Sequence, residues 1–290
     1  MGIVAIKSDK LNVKIKTFGA QLISIKNNSG KEFLWQGGEI WNDHAPVLFP
    51  IVSGLHGGKY TLDGKEYEMQ AHGFASQKEF EVEEQTESSV TMLLRSDEET
   101  KKCYPFDFEF RIRFTVDGLK LHQEYITDNK SERDMYYSTG SHEGYAIEGK
   151  LDNYSIIFDE KETIPRYSMK KDENGNVIGN IPCLENEREL KLDHDEYFFR
   201  DELIFLDFKS KGLTFRDDRT GESIHIDFPD QDTLVFWTRT RTYAEFLCIE
   251  PWCGTWDFKE KIPCDFSEKY RIRTLKPGES ENLKHTITFY

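Results

Sequence analysis

The residues best suited to chemistry are ionisable side chains placed where strand-like stretches of the sequence end. Glu250 closes the apolar run at residues 246–249 and stands directly before Pro251. Proline donates no hydrogen bond to a sheet and keeps the preceding residue extended, so we expect the strand to open here onto a cleft. Burial at such a point raises the pKa of a carboxyl group towards the range in which it acts as a base. Trp252 adds a flat apolar surface just beyond.

Three further residues are candidates for the same cleft. His142 follows a strand-like stretch and lies between Gly140 and Gly144, which let a ligand approach the backbone closely. An imidazole gives or takes a proton near neutral pH, although a histidine in an exposed loop fits the same sequence. His72 precedes a glycine in a second loop, and Asp201 precedes an apolar run, where aspartate is ordinarily a turn residue.

Alternating apolar and polar residues predict strands along most of the chain. The longest alternation spans residues 106–116, and after the turn Asp117-Gly118 it resumes at residues 119–125, as is typical of a β-hairpin. Aromatic residues make up 13% of the sequence, with 21 Phe and 13 Tyr, and this composition favours strands over helices. We therefore predict an all-β chain that folds as one large antiparallel β-sandwich domain over residues 1–290.

Few helices are expected, because no stretch of helical length carries an apolar period of about 3.6 residues. Short helices are predicted near residues 97–103, 184–189 and 257–261. The polar stretch at residues 159–195 is predicted to be a long irregular excursion over the surface.

In an otherwise all-β chain, a buried carboxylate beside a tryptophan is typical of a sugar site.

Composition excludes several classes of partner. The 290-residue chain has 53 acidic and 38 basic residues and a formal net charge of -15, which argues against nucleic acid and anionic membranes. Its five cysteines form no CxxC pair, so neither a disulfide framework nor a zinc site is indicated. No secretory leader and no apolar run of about 20 residues is found, so a cytoplasmic location is expected. The sequence does not indicate an oligomeric state.

Taken in order, these stretches resemble the aldose 1-epimerase (galactose mutarotase-like) family, and within it the LacX-like bacterial branch. Each stretch is only moderately specific, whereas their order and spacing are much more so. The resemblance runs nearly from end to end, and the matching stretches are residues 18–22, 33–35, 46–52, 58–67, 72–75, 140–142, 201–205 and 249–252.

The resemblance implies a large β-sandwich enzyme that interconverts α and β anomers of an aldose, without cofactor or metal. It implies that Glu250 is the general base that removes the proton from the C1 hydroxyl, and that His142 is the general acid that protonates the ring oxygen. His72 is the expected second histidine, which hydrogen-bonds the sugar, and Asp201 is an expected substrate-binding residue. Trp252 is expected to stack on the apolar face of the pyranose.

Two departures from the family pattern bear on the substrate and on the acid. The branch commonly has arginine where Ser76 follows the His-Gly-Phe-Ala stretch, and this loss makes a phosphorylated sugar a weaker expectation. The family histidine is usually followed by proline, whereas Glu143 follows His142 here. A second carboxylate beside the acid is expected to raise its pKa or to change how the loop binds.

Three alternatives stay open from the sequence. A sugar-binding or sensing protein would keep the pocket and lose the turnover. A hexose-6-phosphate mutarotase would need cations at the pocket, and Arg239 and Arg241 form the only evident cluster, which fits an exposed sheet edge better. A β-sandwich glycosidase needs two positioned carboxylates, and only Glu250 is a strong candidate.

Overall fold

The computed structural model describes residues 2–167, 181–198, 202–239, 242–243, 245–257 and 265–290. The strands of the first half are β1 (Ile3–Lys7), β2 (Leu11–Lys16), β3 (Gln21–Asn27), β4 (Lys59–Leu62), β5 (Lys65–Glu68), β6 (Glu81–Gln85), β7 (Ser89–Arg95), β8 (Phe108–Asp117), β9 (Lys120–Asn129), β10 (Met135–Tyr137), β11 (Thr139–Gly140) and β12 (Glu143–Ala146). Those of the second half are β13 (Tyr154–Tyr167), β14 (Ile181–Lys191), β15 (Leu203–Leu206), β16 (Gly212–Asp217), β17 (Ser223–Asp227), β18 (Thr233–Trp237), β19 (Phe246–Cys253), β20 (Arg273–Leu275) and β21 (Ser280–Phe289). The prediction of an all-β chain is confirmed.

The alternation of residue types translates directly into strand faces. Along β8 every second side chain is buried, and β8 pairs with β9 in the register that joins Asp117 to Lys120. Gly118 turns between them with φ 55°. The predicted hairpin is therefore confirmed, because every second residue of both strands is buried and the turn residue accepts a left-handed conformation.

Helical structure is short. Helix α1 (Thr100–Cys103) confirms the helix predicted near residues 97–103. In the part of the chain that the structure describes, the other helical turns are three-residue 3-10 segments and one π turn, at His56–Gly58, Ala75–Gln77, Leu151–Asn153, Phe266–Glu268 and His194–Phe198. Within the described ranges, no helix has the length and apolar character that crossing a bilayer requires. Of the helix predicted at 257–261, residues 258–261 lie outside the described residues.

The helix predicted at residues 184–189 is wrong, and the irregular course predicted from 159 to 195 is wrong for residues 159–167 and 181–191, whereas residues 168–180 lie outside the described residues. The two described stretches belong to the antiparallel strands β13 and β14, whose register shifts at three points. The acidic run between Leu184 and Leu190 has a composition that suits a helix. However, each of these buried leucines lies opposite a buried isoleucine of β13, since Leu184 pairs with Ile164 and Leu190 with Ile156. Cross-strand pairing outweighs local propensity here.

Among the described residues, fourteen strands form one continuous hydrogen-bonded sheet. Twelve of them follow the order β11-β19-β18-β15-β13-β16-β17-β21-β9-β8-β7-β6, with β12 added beside β19 and β14 beside β13. The sheet folds over on itself, because Gln123 on β9 donates a hydrogen bond to Glu143 on β12 at 2.8 Å although many strands separate them in the sheet. The main apolar core fills the space between the two layers, where Phe49 stacks on Phe110 with ring centroids 4.2 Å apart.

A second apolar cluster lies apart from the main core. It joins residues of β15, β18 and β19 to the loop that follows β3, and its buried members are Leu48, Val52, Ile204, Leu206, Val235, Trp252 and Trp256. Side chains alternate along a strand, so the face of β19 that carries Trp252 also carries Glu250 and Cys248. This second cluster therefore supports the face on which the candidate site lies.

Candidate active site

His142, in the gap between β11 and β12, lies directly opposite Glu250 on β19. The ladder between β11 and β19 pairs Gly140 with Trp252, and the ladder between β12 and β19 pairs Glu143 with Ile249 in the same register. The residues in the gap between the two ladders therefore also face each other, and their side chains project from the same face of the sheet. The measured separation of His142 Nε2 and Glu250 Oε2 is 3.3 Å. The structure thus brings the two predicted catalytic residues together.

The glycines on either side of His142 make room for two tryptophan rings. A Cβ at Gly140 would lie 2.5 Å from Cδ1 of Trp252, and one at Gly144 would lie 2.6 Å from Cζ3 of Trp41. From the sequence, this free space was predicted to admit an approaching ligand. In the structure the indole rings occupy it, and any larger residue at either position would push a tryptophan away.

Two indole rings also hold the His142 imidazole. Trp41 stacks on it with ring centroids 5.4 Å apart at 28°, and Trp237 meets it edge-on at 5.7 Å and 78°. The two indoles contact each other at 5.5 Å. Packing against one stacked and one edge-on indole restricts the rotation of the imidazole, whose Nε2 lies towards Glu250.

His72 completes the cluster from the loop between β5 and β6. Its backbone adopts φ 64°, its N–H donates to the Ser53 carbonyl at 2.7 Å, and its Nδ1 accepts from the Ser53 N–H at 3.1 Å. Since Nδ1 is the acceptor, the proton of the neutral ring is on Nε2. The ring lies 5.4 Å from that of His142 and 5.8 Å from that of Trp252. His72 can therefore donate a hydrogen bond to a bound oxygen.

Burial governs the protonation of all three ionisable groups. It lowers the pKa of His72 to about 4. It lowers the pKa of His142 well below its usual range, and the nearby His72 acts in the same direction. It raises the pKa of Glu250 well above its usual range, and the carboxylates of Glu202 and Glu143 raise it further. In the free protein burial therefore favours the uncharged form of both groups, a protonated carboxyl and a neutral imidazole.

Polar atoms at the centre of the site lack hydrogen-bond partners. Glu250 Oε2 is close to His142 Nε2 without the alignment of a hydrogen bond, and His142 Nδ1 is also unpartnered. Glu250 is 1% exposed and His142 is 9% exposed. Buried polar groups ordinarily find partners, and leaving one unsatisfied costs about 1–3 kcal/mol. Such atoms, next to the partly exposed rings of Trp41 and Trp237, are arranged for a polar ligand.

Glu143 does not act on His142 as the sequence analysis expected. The adjacent residues project from opposite faces of the strand, so Glu143 points between the two layers, where it accepts from Gln123 at 2.8 Å. The pKa of His142 is lowered by burial and not raised by a neighbouring carboxylate. This expectation was wrong because strand alternation separates the two side chains.

The other expected site residues have different positions. Trp252 is 4% exposed, donates from Nε1 to the Ser141 carbonyl at 3.2 Å, and reaches the site through its contact with His72. Asp201 lies outside the described residues, and so does Arg241. Ser76 lies in a 3-10 turn, where its backbone lies against Gly19.

Neither Trp41 nor Trp237, which both pack on His142, was among the site residues predicted from the sequence. A tryptophan in a polar loop that contains Gly37 and Gly38 was the available signal for Trp41. Cys248 was also missed. Its position two residues before Glu250 in a strand places both side chains on one face, which could have been read from the sequence.

Comparisons with known proteins agree with this geometry. A family model described as aldose 1-epimerase matches residues 2–288. Protein LacX (plasmid) of Lactococcus lactis subsp. lactis is 34% identical over 299 aligned positions, which cover 98% of this chain and 98% of that protein. A solved galactose mutarotase related enzyme from Lactobacillus acidophilus has a TM-score of 0.91 at 31% identity, covering 100% of this chain and 97% of that chain. A galactose mutarotase-like protein from Lactobacillus casei ATCC 334 has a TM-score of 0.91 at 26% identity, covering 100% of both chains. The chain therefore belongs to the aldose 1-epimerase family.

Proposed function

We propose that the protein is a mutarotase that interconverts the α and β anomers of an unphosphorylated hexose, with Glu250 as general base and His142 as general acid. The observation that carries this proposal is the buried cross-strand pair, whose Nε2 and Oε2 atoms lie 3.3 Å apart with no hydrogen-bond partner on the carboxylate oxygen. Membership of the aldose 1-epimerase family supports it.

Ring opening requires one proton to leave O1 and one to reach the ring oxygen. The Glu250 carboxylate takes the proton of the C1 hydroxyl while the His142 Nε2–H gives its proton to the ring oxygen, and the bond between C1 and the ring oxygen breaks. The resulting aldehyde rotates about the C1–C2 bond. Reclosure on the other face then uses the same two groups in reversed roles. No electron and no water is consumed, so a carboxylate and an imidazole are sufficient.

The pair must carry one proton in total, as imidazolium and carboxylate before ring opening and as two neutral groups after it. Burial favours the neutral form in the free protein. A bound sugar donates hydroxyl hydrogen bonds to Glu250 and so replaces part of the lost hydration of its charged form. The pair is neutral while the sugar is in its open-chain form. Burial of the pair therefore stabilises the open-chain intermediate relative to the closed sugar.

The charge around the pair favours an uncharged sugar. The charged neighbours that raise the pKa of Glu250 are Glu202 and Glu143, both acidic. A phosphate would be repelled by these groups. Arg239, the described member of the predicted basic cluster, is exposed just after β18. His72 is the proposed hydrogen-bond donor to the sugar near the reacting oxygens, Trp252 supports His72, and Asp201 stays a predicted sugar ligand.

The test is anomer exchange of freshly dissolved α-glucose and α-galactose, followed by polarimetry and by NMR. We expect the wild-type protein to accelerate exchange of at least one of the two sugars and the Glu250→Gln variant to be inactive. Equal acceleration by both proteins would contradict the assignment of the base.

A protein that binds these sugars saturably without faster exchange would instead be the sugar-binding alternative. Exchange of a hexose 6-phosphate only, lost in Arg239→Ala, would show the phosphorylated substrate.

The same preparations also test the organisation of the chain, because we propose that residues 1–290 unfold as one domain in a single transition.

A further inference from the structure

The catalytic pair has a third potential metal ligand beside it. Cys248 is fully buried and lies two residues before Glu250 on β19, so both side chains project from one face. The ligand atoms of Cys248, His142 and Glu250 all lie within 4.8 Å of one another. A thiol, an imidazole and a carboxylate therefore converge at one point.

We propose that Cys248, His142 and Glu250 bind a thiophilic divalent cation such as Zn²⁺, and that the bound ion blocks the catalytic pair. Three protein ligands with a fourth position left open is the arrangement of zinc sites that also bind a small molecule. Zinc takes nitrogen and oxygen at about 2.0–2.2 Å and sulfur at about 2.3 Å, so its ligand atoms are about 3.3–3.8 Å apart in a tetrahedron. The Nε2 to Oε2 distance of 3.3 Å already fits this spacing.

Cys248 lies beside two indole rings, which close the site from water. Its cross-strand neighbours are Gly144 on β12, over which the Trp41 ring lies, and Trp237 on β18. Glu250 Oε2 is buried without a hydrogen-bond partner, so an ion would supply the interaction that it lacks. Two anionic ligands would also balance the charge of a divalent ion away from water.

Cys253 lies on the same strand as Cys248 but belongs to no group of potential metal ligands among the described residues. Its Sγ lies 3.5 Å from the Arg273 guanidinium and 3.3 Å from the Asp230 carbonyl, on the opposite face of β19 from Cys248. A guanidinium cannot be a metal ligand and repels a cation. Cys253 is therefore the matched control for Cys248.

Metal and sugar would compete for the same two atoms. An ion on His142 Nε2 and Glu250 Oε2 uses the lone pairs that proton transfer needs, so the expected effect is inhibition that high sugar concentration relieves. The thiol makes the site selective for soft or borderline ions, because Mg²⁺ and Ca²⁺ prefer oxygen ligands only.

The first experiment measures ligation without using activity. Co²⁺ is titrated into the reduced full-length protein, and the thiolate-to-cobalt charge-transfer absorption is recorded and then displaced with Zn²⁺. We expect the band in the wild type and in Cys253→Ser, and its loss in Cys248→Ser. No band in the wild type, or a band lost in Cys253→Ser and kept in Cys248→Ser, would overturn the proposed site.

The second experiment measures inhibition of anomer exchange by Zn²⁺ and rests on the proposed function. The rate of each variant is expressed relative to its own metal-free rate. Because Cys248→Ser lacks one ligand, the Zn²⁺ concentration that halves its rate should rise by at least about 10–100-fold, whereas that of Cys253→Ser should stay unchanged. Activation by Zn²⁺, or equal inhibition by Mg²⁺, would contradict the blocking role. If the protein exchanges no anomers, the cobalt titration still decides whether the metal site exists.

Discussion

Two buried histidine–glutamate pairs lie on opposite faces of the same strand segment, and only one of them is arranged for chemistry. His142 and Glu250 face each other at 3.3 Å on the outer face, beside the partly exposed rings of Trp41 and Trp237. His285 and Glu143 lie 3.8 Å apart between the two layers of the sheet.

The inner pair is bridged by a side-chain amide. Gln123 Nε2 lies 2.8 Å from Glu143 Oε1 and 3.0 Å from His285 Nε2, and Tyr125 stacks on the imidazole. Glu143 Oε2 lacks a protein partner, as Glu250 Oε2 does, so an unsatisfied oxygen is not what separates the pairs. The difference is that the two groups of the outer pair face each other directly, with no side chain bridging them among the described residues and with partly exposed indoles beside them. Residue type and burial alone therefore do not identify a site.

The strongest way to break this comparison is to neutralise each carboxylate in turn. Glu250→Gln removes the proposed base, and we expect the anomerisation rate to fall by about 10²–10⁴-fold, the usual contribution of general base catalysis. Glu143→Gln keeps an oxygen that can accept from Gln123, so its rate should stay near that of the wild type. Polarimetry on both variants measures this. Equal losses in the two would show that the inner pair takes part in the reaction.

The two histidines give the next largest contrast. His142→Gln should lower kcat by roughly 10²-fold, because the ring oxygen loses its positioned proton donor. Sugar binding, measured by calorimetry, should change much less than kcat. His285→Gln, normalised to its folded fraction, is the matched control and should keep its turnover. A change confined to KM in His142→Gln would instead make His142 a binding residue.

The inner histidine should matter for stability, with a defined pH dependence. His285→Gln disturbs a buried hydrogen bond and should cost about 1–3 kcal/mol in the free energy of unfolding at neutral pH. Burial lowers the pKa of His285, so below about pH 6.5 the unfolded chain binds a proton that the folded chain does not. The contribution of His285 to the free energy of unfolding therefore falls as pH falls. The difference in this free energy between the wild type and His285→Gln should narrow. Urea unfolding at neutral and mildly acidic pH measures the free energy of unfolding of both proteins. A difference between them that widens on acidification would contradict the prediction.

The smallest expected effect concerns the tryptophan that lies against the outer pair. A Cβ at Gly144 would lie 2.6 Å from Cζ3 of Trp41, so Gly144→Ala must displace that ring from His142. Loss of the aromatic contact is worth about 0.5–1.5 kcal/mol, which corresponds to a rise in KM of about 2–12-fold. Gly54→Ala is the control, since no atom lies within 4 Å of its added carbon. An unchanged KM would show that Trp41 does not shape the site.

Much of the fold was predictable because each strand repeats a local pattern. The alternation at residues 106–116 and the Asp117-Gly118 turn predicted β8 and its hairpin with β9. The β13–β14 hairpin was not predicted, because its pairing shifts register and its acidic composition suggests a helix. Local patterns cannot report a stabilisation that comes from a partner strand.

The site was predictable in part for the same reason. Glu250 and His142 have signals in their own neighbourhood, namely a proline that ends a strand and flanking glycines. Trp41 has none of comparable strength, since its role depends on where a loop returns over Gly144. The face of the strand on which Glu143 lies could be predicted only with the register of β12 against β19.

The sheet order also has a consequence for how the chain folds. Strand β21, at residues 280–289, lies in the middle of the sheet between β17 and β9. Until these residues are synthesised, both neighbouring strands have an open edge that can pair with another chain. His72, His142 and Glu250 are likewise far apart in sequence, and contacts of high sequence separation form slowly because loop closure costs entropy before the contact repays it. The nascent chain therefore passes through a long stage in which most strands exist, the sheet is unclosed and the site is not yet assembled.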